Sequence, residues 1–137
     1  MTPTLSGRPL RFADFPTLID ALDYAAGGAT GLNLYSLRGE LVEALTYGKL
    51  REQARALAPR LLAAGARRGD SVGLIAETEG DFVRAFFACQ FAGLVPAPLP
   101  LPTPLGGREA YVDQIARMAA SARAPVLIDI GDRKSVV

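Results

Sequence analysis

The chain has 137 residues, of which 50% are hydrophobic and 21% charged, so it is long enough for one domain and apolar enough to bury a core. Its 15 basic and 14 acidic residues leave a net charge of +1 without a basic stripe, which argues against a nucleic-acid partner. One cysteine excludes an internal disulfide, and the lack of histidine excludes Ser-His-Asp and Cys-His catalysis and most zinc sites.

The first third of the chain predicts a helix followed by a β-hairpin. Asp14 is placed to cap a helix that has Pro16 in its first turn and runs to about Ala26, where two glycines end it. The apolar face of this helix consists of Leu18, Ile19, Leu22 and Ala25. Residues 32–36 and 41–45 flank the turn sequence LRGE, which is typical of a β-hairpin.

A second helix is predicted directly after the hairpin. Thr46 can cap this helix, and its apolar positions recur at helical spacing: Leu50, Ala54, Leu57 and Leu61. Pro59 lies within the stripe and lacks a backbone donor, so we expect a kink there or an early end of the helix. Gly65 is a natural C-terminal stop.

The second half of the chain alternates between strand and helix patterns. Short apolar runs predict strands at 71–76, 94–99 and 125–130. Helical patterns separate them, one at about 79–92 and one marked by Tyr111, Ile115, Met118 and Ala122. We expect the first of these helices to bury Phe82 and Phe86 against the sheet. The alternation predicts an α/β fold class, namely an incomplete three-layer parallel-sheet subdomain with helices on both faces, preceded by the N-terminal β-hairpin.

Prolines occupy every second position from Pro96 to Pro104 in the segment AGLVPAPLPLPTP. Along a strand, alternate N–H groups point to the same neighbour, so these prolines remove donors from one edge only. Ala97 and Leu99 keep their donors and are expected to pair with the strand at 71–76. A polyproline II ligand places its prolines three residues apart, which this segment does not do, so a strand is favoured over an adaptor motif.

Neither a targeting sequence nor a membrane segment is recognisable in the chain. The N-terminus lacks the apolar core of a signal peptide. The most apolar stretch, from Ala85 to Leu101, contains Gln90 and three prolines, so we predict no membrane span. A cytoplasmic location is therefore expected.

Short patterns that suggest a site have simpler explanations. GGATG follows a helix rather than a strand, YGKL lacks the Ser or Thr of a phosphate loop, and RGD lies in a predicted turn. Glu77, Glu79 and Asp81 could form a metal or ligand site past a strand end, but acidic residues at the positive start of a helix are commoner. Cys89 is predicted to be core, because it lies on an apolar helix. These patterns assign no catalytic, cofactor-binding or metal-binding residue.

As an ordered set, four segments resemble the N-terminal part of the adenylate-forming (AMP-binding) enzymes, most of all fatty acyl-AMP ligases and long-chain acyl-CoA synthetases. The segments are LTYGKL, GARRGDSVGLIAE, DFVRAFFACQFAGLVPAPLP and ARAPVLI. The resemblance covers residues from about 30 to 130. One departure is Lys49, where relatives commonly carry a glutamate that would complete a capping box with Thr46. This difference concerns the stability of the helix rather than the resemblance.

The resemblance implies an ATP-dependent ligase that activates a fatty acid as an acyl-adenylate, with Mg²⁺ assisting. The acyl group then passes to the thiol of CoA or of an acyl-carrier protein. The family's phosphate loop, nucleotide-binding segments and mobile C-terminal domain have no counterpart in this sequence. The resemblance therefore assigns no catalytic residue to this chain, and the isolated fragment is expected to be inactive.

We interpret residues 1–131 as the N-terminal part of the ligase domain and residues 132–137 as a non-native tail. The six residues DRKSVV match what a widely used short-read sequencing adapter encodes in one frame before a stop, and a genuine polar tail is the alternative. Two alternatives also stay open for the chain as a whole. One is a free-standing small α/β binding module that pairs with a separate catalytic chain, and the other is an adaptor that uses the proline run.

Overall fold

The computed structural model describes residues 4–5, 8–12, 14–77, 79–103 and 105–130. Its elements in chain order are β1 (Thr4–Leu5), β2 (Arg8–Pro9), α1 (Leu18–Ala26), β3 (Gly31–Tyr35), β4 (Leu41–Thr46), α2 (Tyr47–Ala63), β5 (Ser71–Ile75), α3 (Gly80–Ala92), β6 (Val95–Leu99), α4 (Arg108–Ser121) and β7 (Val126–Asp129). None of the described helices is long and apolar enough to cross a membrane. Pro104 and the tail at 132–137 lie outside the described residues.

Three small sheets organise these strands. β1 pairs with β2, and β3 pairs with β4 as the predicted antiparallel hairpin. β5, β6 and β7 form a parallel sheet in the order β6-β5-β7. Helices cover both faces of this sheet, since Val72 and Leu74 pack in one cluster with α2 and α3, whereas Ile75 and Leu99 pack against Ile115 of α4. The predicted α/β fold class is therefore confirmed.

β6 pairs with β5 through one edge, as the proline pattern predicts. The Val95 N–H donates to the carbonyl oxygen of Asp70 at 2.9 Å, and the register places Ala97 opposite Gly73. Alternate residues of a parallel strand bond to the same neighbour, so Ala97 also directs its N–H towards β5. Pro98 is exposed and faces the opposite edge, at which none of the described strands pairs. The interpretation of this segment as a strand is confirmed.

α1 begins later than predicted. Its N-cap is Thr17, whose Oγ1 accepts a hydrogen bond from the Asp20 N–H at 3.2 Å. Asp14 had been expected at this position, but its carboxylate lies 2.7 Å from the guanidinium of Arg11, and the hydrogen bond from Arg11 lowers the pKa of Asp14. The Arg11 guanidinium also lies 4.1 Å from the ring centroid of Phe15. The prediction of Asp14 as the cap is wrong, because the Asp14 carboxylate forms an ion pair with Arg11 of the preceding segment.

α2 follows the predicted pattern and continues past Pro59. Thr46 caps the helix, since its Oγ1 accepts a hydrogen bond from the Lys49 N–H at 3.1 Å. The helix continues beyond Pro59 to Ala63, so an early end was the wrong alternative. Pro59 lies on the exposed side, where the carbonyl left without a donor can bond to water.

Two helix faces differ from their predicted composition. α3 buries Ala85 and Ala88, whereas Phe86 is only partly buried, because α3 lies between the sheet and α2 and this close packing favours small side chains. α4 buries Ile115 and Ala119, whereas Met118 is 37% exposed. Phe86 nevertheless packs against the cluster that contains Val72 and Leu74, so the expectation for Phe86 is confirmed in part, whereas the expectation for Met118 is wrong. Both helices lie where the sequence predicted them.

Two substitutions in β6 test its one-sided pairing. Ala97→Pro deletes a donor to β5 and should lower the free energy of unfolding by about 3 kcal/mol or more. Pro98→Ala adds a donor at the unpaired edge and should change the free energy of unfolding by less than about 1 kcal/mol. Chemical denaturation of the two variants measures the difference, and equal destabilisation would contradict the assigned edge.

Candidate functional site

The carboxyl ends of β5 and β6 lie side by side at one edge of the parallel sheet, the position at which open α/β sheets bind ligands. An open groove of about 1720 Å³ lies over this edge. Its apolar walls include Leu34 of the hairpin, Leu57 of α2 and Leu101 after β6, and its polar wall includes Glu77 and Arg84. We call this feature the carboxyl-edge groove and treat it as the candidate site.

Arg84 of α3 joins the elements that line the carboxyl-edge groove. Its Nε donates to Oε1 of Gln53 in α2 at 2.5 Å, and its Nη2 forms an ion pair with Oε1 of Glu43 in β4. Its Nη1 lies 3.1 Å from Oδ1 of Asp81 in the first turn of α3. The Arg84 side chain is 17% exposed, and charged hydrogen bonds are stronger in partly desolvated surroundings than in water. The network therefore holds the hairpin and α2 in place relative to α3.

The start of α3 does not fit a phosphate group. A helix N-terminus attracts anions, so the connection from β5 to α3 is where a nucleotide phosphate would be expected. The chain's own carboxylates fill this position: a Cβ at Gly80 would collide with a carboxylate oxygen of Glu43, and Asp81 lies in the first turn. Because these carboxylates repel an anion, this helix start does not favour a phosphate group.

The three acidic residues singled out from the sequence all line the carboxyl-edge groove, but they differ in their partners. Asp81 pairs with Arg84. Glu79 occupies the N-cap position of α3, although its side chain makes no capping hydrogen bond, and it lines a second cavity of about 410 Å³ together with Glu77 and Tyr111. Within the described ranges, no group of three His, Cys, Asp or Glu side chains could hold a metal ion. The assignment of no metal-binding residue stays a prediction.

Tyr111 links α4 to Pro100, which lies at the margin of the groove. Its hydroxyl donates a hydrogen bond to the carbonyl oxygen of Pro100 at 3.0 Å. Burial raises the pKa of Tyr111, and the negative charge of Asp129 adds to the effect. The hydroxyl therefore stays protonated at neutral pH and remains a donor, so it fixes the segment that leaves β6.

Cys89 is a core residue, as predicted from the sequence. Its side chain is completely buried among residues of α2, α3 and the sheet. Burial raises the pKa of the Cys89 thiol to about 11. A thiol with this pKa is almost fully protonated at neutral pH, so Cys89 does not provide a nucleophile.

The sequence interpretation missed the polar side chains that shape the groove, namely Arg84, Gln53, Glu43 and Tyr111. One signal was available, since Arg84 is a charged residue three positions after Asp81 in a mostly apolar helix. Its partners in β4 and α2 lie 41 and 31 residues away in sequence, and no local pattern indicates such contacts. The groove residues position neighbouring elements, and that no residue of this chain is catalytic stays a prediction.

The described residues form part of an open α/β domain. Residues 32–136 match the family described as AMP-binding enzyme, and the chain belongs to this family. Over 128 residues it is 71% identical to a Caulobacter vibrioides protein that bears the name of an acyl-CoA synthetase. Over 95 residues it is 36% identical to a medium-chain fatty acid–acyl-carrier-protein ligase of Moorena producens. These matches cover 93% and 67% of this chain, but 22% and 16% of the two relatives.

Solved structures of the same class are similar to the chain. A structure from a study of fatty acyl-adenylate ligases of E. coli and L. pneumophila is 47% identical with a TM-score of 0.81, over 88% of this chain and 22% of its own. A fatty acid AMP ligase of Legionella pneumophila is 26% identical with a TM-score of 0.72, over 87% of this chain and 20% of its own. The chain thus spans about a fifth of the length of these relatives. The resemblance proposed from the sequence is confirmed.

A double-mutant cycle tests the Arg84 network. Arg84→Met and Glu43→Gln should show a coupling energy of about 1–3 kcal/mol in chemical denaturation, because the pair is partly desolvated. The exposed pair Arg51–Asp23 is the matched control, and the cycle of Arg51→Met and Asp23→Asn should give less than about 1 kcal/mol. Equal coupling in the two cycles would show that Arg84 does not hold the hairpin.

The burial of Cys89 predicts a loss of stability at alkaline pH. The pKa of the thiol is raised from 9.0 to about 11 by folding, so its contribution is complete below pH 9.0 and is lost as the pH rises through about 11. The loss should amount to roughly 2–3 kcal/mol. The free energy of unfolding is measured between these pH values for the native chain and for Cys89→Ala. The difference between the two proteins isolates the contribution of the thiol from other titrations. Identical slopes for the two proteins would contradict the assigned burial.

Proposed function

We propose that this chain is the N-terminal part of an ATP-dependent acyl ligase that converts a fatty acid into an acyl-adenylate. The acyl group is then transferred to the thiol of CoA or of an acyl-carrier protein. The observation that carries the proposal is the 47% identity, with a TM-score of 0.81, to a structure from the study of fatty acyl-adenylate ligases. The two sequence relatives support the same class, since both bear names of ligases that act on acyl groups.

The nucleotide belongs to the remainder of the enzyme in this proposal. A ligase of L. pneumophila solved with acyl adenylate and pyrophosphate is 30% identical over 66% of the chain with a TM-score of 0.57, which supports ATP as the co-substrate. The start of α3 is filled by the carboxylate of Glu43, so we assign ATP and Mg²⁺ to segments beyond those described. The part described contributes the carboxyl-edge groove and the packed elements around it.

The acceptor of the acyl group is either CoA or an acyl-carrier protein. The relatives support both, because the name of one refers to CoA and that of the other to an acyl-carrier protein. Both acceptors present a thiol, so the chemistry of transfer is shared. The cytoplasmic location and the non-native nature of residues 132–137 are further parts of this proposal.

A chimera tests the proposed function. In it, residues 1–131 of this chain replace the corresponding segment of the Caulobacter relative, which is 71% identical. We expect fatty acid-dependent ATP–pyrophosphate exchange from the chimera and none from the isolated 137-residue chain, because the latter lacks the preorganised phosphate and metal contacts of the reaction. Product analysis with CoA and with a phosphopantetheinylated carrier protein then identifies the acceptor.

Two further outcomes of this experiment are informative, and a complementation experiment tests the alternative of a separate module. Exchange by the isolated chain would show that it contains its own catalytic site. A folded chimera without exchange would contradict the proposed function. Full activity on adding the isolated chain to a Caulobacter protein that lacks the segment would favour a separate module that pairs with a catalytic chain.

A further inference from the structure

We propose that the amino edge of the parallel sheet is a basic surface that binds anionic lipid bilayers. This amino edge consists of the loops at 64–70 and 122–125 and the junction at 93–94, which precede β5, β7 and β6. The proposal goes beyond acyl-adenylate formation, because it concerns where the protein lies rather than what it catalyses. The choice of a bilayer as the partner rests on the proposed function.

The segments that precede the three strands meet at one end of the sheet. The register pairs Ser71 with Val95 of β6 and places Val126 of β7 one residue further along β5, so the strands begin side by side. Two of the segments are also joined directly, since the Gly69 N–H donates to the carbonyl oxygen of Gly93 at 2.8 Å. Residues far apart in sequence therefore share the amino edge.

Three arginines lie on the amino edge, and none of them forms an ion pair with a described residue. They are Arg67, Arg68 and Arg123, and all three are exposed. The acidic residue in these segments is Asp70, whose Oδ2 accepts a hydrogen bond from the Arg67 backbone N–H at 2.8 Å. The last turns of α2, α3 and α4, which end at the same edge, contain no acidic residue. The amino edge thus carries an excess of positive charge.

The two ends of the sheet carry opposite charge, although the net charge of the chain is +1. At the carboxyl edge, Glu77 and Glu79 follow β5, and Asp129 is the last residue of β7. An anionic surface is therefore attracted to the amino edge and repelled by the carboxyl edge. Binding in this direction turns the carboxyl-edge groove away from the anionic surface.

Arg123 has a backbone conformation that favours glycine. Its φ is 51°, and it is the residue other than glycine that has a positive φ in the part of the chain that the structure describes. An arginine at such a position costs stability relative to glycine. Its side chain makes no hydrogen bond to a described residue that would offset this cost. A residue kept in a strained conformation without a structural partner is typical of a functional position.

Helix dipoles explain only part of the amino edge. Arg68 lies across the C-cap of α3, because a Cβ at Gly93 would lie 2.9 Å from its Cγ, and cations are favoured at a helix C-terminus. A dipole gives no reason for exposed apolar side chains, yet Leu62 in the last turn of α2 is 44% exposed and Val95 at the start of β6 is 52% exposed. The amino edge therefore combines cations with apolar side chains.

This combination fits the surface of an anionic bilayer. Arginine side chains bind headgroup phosphates, and apolar side chains beside them enter the interfacial region. The arginines are spread over loops of neighbouring strands, and the two cavities described above lie at the opposite edge, so the amino edge offers a surface rather than a pocket. A fatty acid partitions into bilayers through its apolar chain, so a ligase of the proposed function meets its substrate there.

Vesicle binding of the chimera with the Caulobacter relative tests the proposal. Vesicles of phosphatidylglycerol and phosphatidylcholine are compared with vesicles of phosphatidylcholine alone in co-sedimentation. The combined substitutions Arg67→Gln, Arg68→Gln and Arg123→Gln should lower the affinity for anionic vesicles at least about 10-fold, because each basic residue near such a surface contributes about fivefold. The corresponding lysine substitutions should retain the affinity. The matched control Arg38→Gln, Arg55→Gln and Arg108→Gln removes the same charge from other exposed positions and should change the affinity less than about twofold.

A single substitution separates binding from a structural role. Arg123→Gly should raise the denaturation midpoint, because glycine adopts a positive φ without strain, and should weaken binding to anionic vesicles about fivefold. A lower midpoint with unchanged vesicle affinity would show that Arg123 supports the fold instead, and would overturn its assignment to the binding surface.

Three results would overturn the proposal as a whole. They are equal affinity of the triple glutamine variant and the unsubstituted chimera, equal binding to both kinds of vesicle, and binding to poly-L-glutamate without binding to anionic vesicles. The last result would favour an acidic protein as the partner. ATP–pyrophosphate exchange is measured separately, so an inactive chimera that binds anionic vesicles through the amino edge would count against the proposed function alone.

Discussion

Alternate prolines allow β6 to hydrogen-bond to β5 while they remove the N–H donors of its other edge. This constraint places β6 at one side of the sheet and brings its carboxyl end beside that of β5. Leu99 is consequently buried against α4, and the chain leaves the strand along the margin of the carboxyl-edge groove. Side chains also pack closely at the centre of the sheet, because a Cβ at Gly73 would collide with the side chains of Leu127 and Leu99. The order of the strands and the position of the groove both depend on this packing.

The polar network above the sheet has a different role from the apolar core beneath it. Core packing fixes α2 and α3 against the strands and buries Leu45 at the base of the hairpin. Arg84 adds a polar link from α3 to the middle of β4 and to α2 through its contacts with Glu43 and Gln53. The same carboxylate that anchors the hairpin fills the start of α3, where a phosphate would otherwise fit. A part of the fold that could have bound an anion is thus used to join two elements.

Local patterns predicted the elements of this fold better than the contacts between them. Thr46 and the strand pattern of 71–76 were sufficient for α2 and β5, because capping and apolar runs are encoded within a few residues. The end of α4 could not be predicted in the same way, since Arg123 adopts a left-handed conformation with φ of 51° at a position that usually requires glycine. The Arg84 network depends on residues brought together by tertiary packing, so its contacts with Glu43 and Gln53 could not be predicted from local patterns. The family resemblance predicted the class of the protein but not these contacts.

The central structural claim is that β6 pairs with β5 through one edge of a parallel sheet. Scalar couplings across hydrogen bonds test it directly by NMR in the isotope-labelled chain. The account predicts a coupling between the amide nitrogen of Ala97 and the carbonyl carbon of Val72, in register with the pair Gly73 and Ala97. The absence of this coupling, together with rapid solvent exchange of the Ala97 amide in the folded chain, would contradict it.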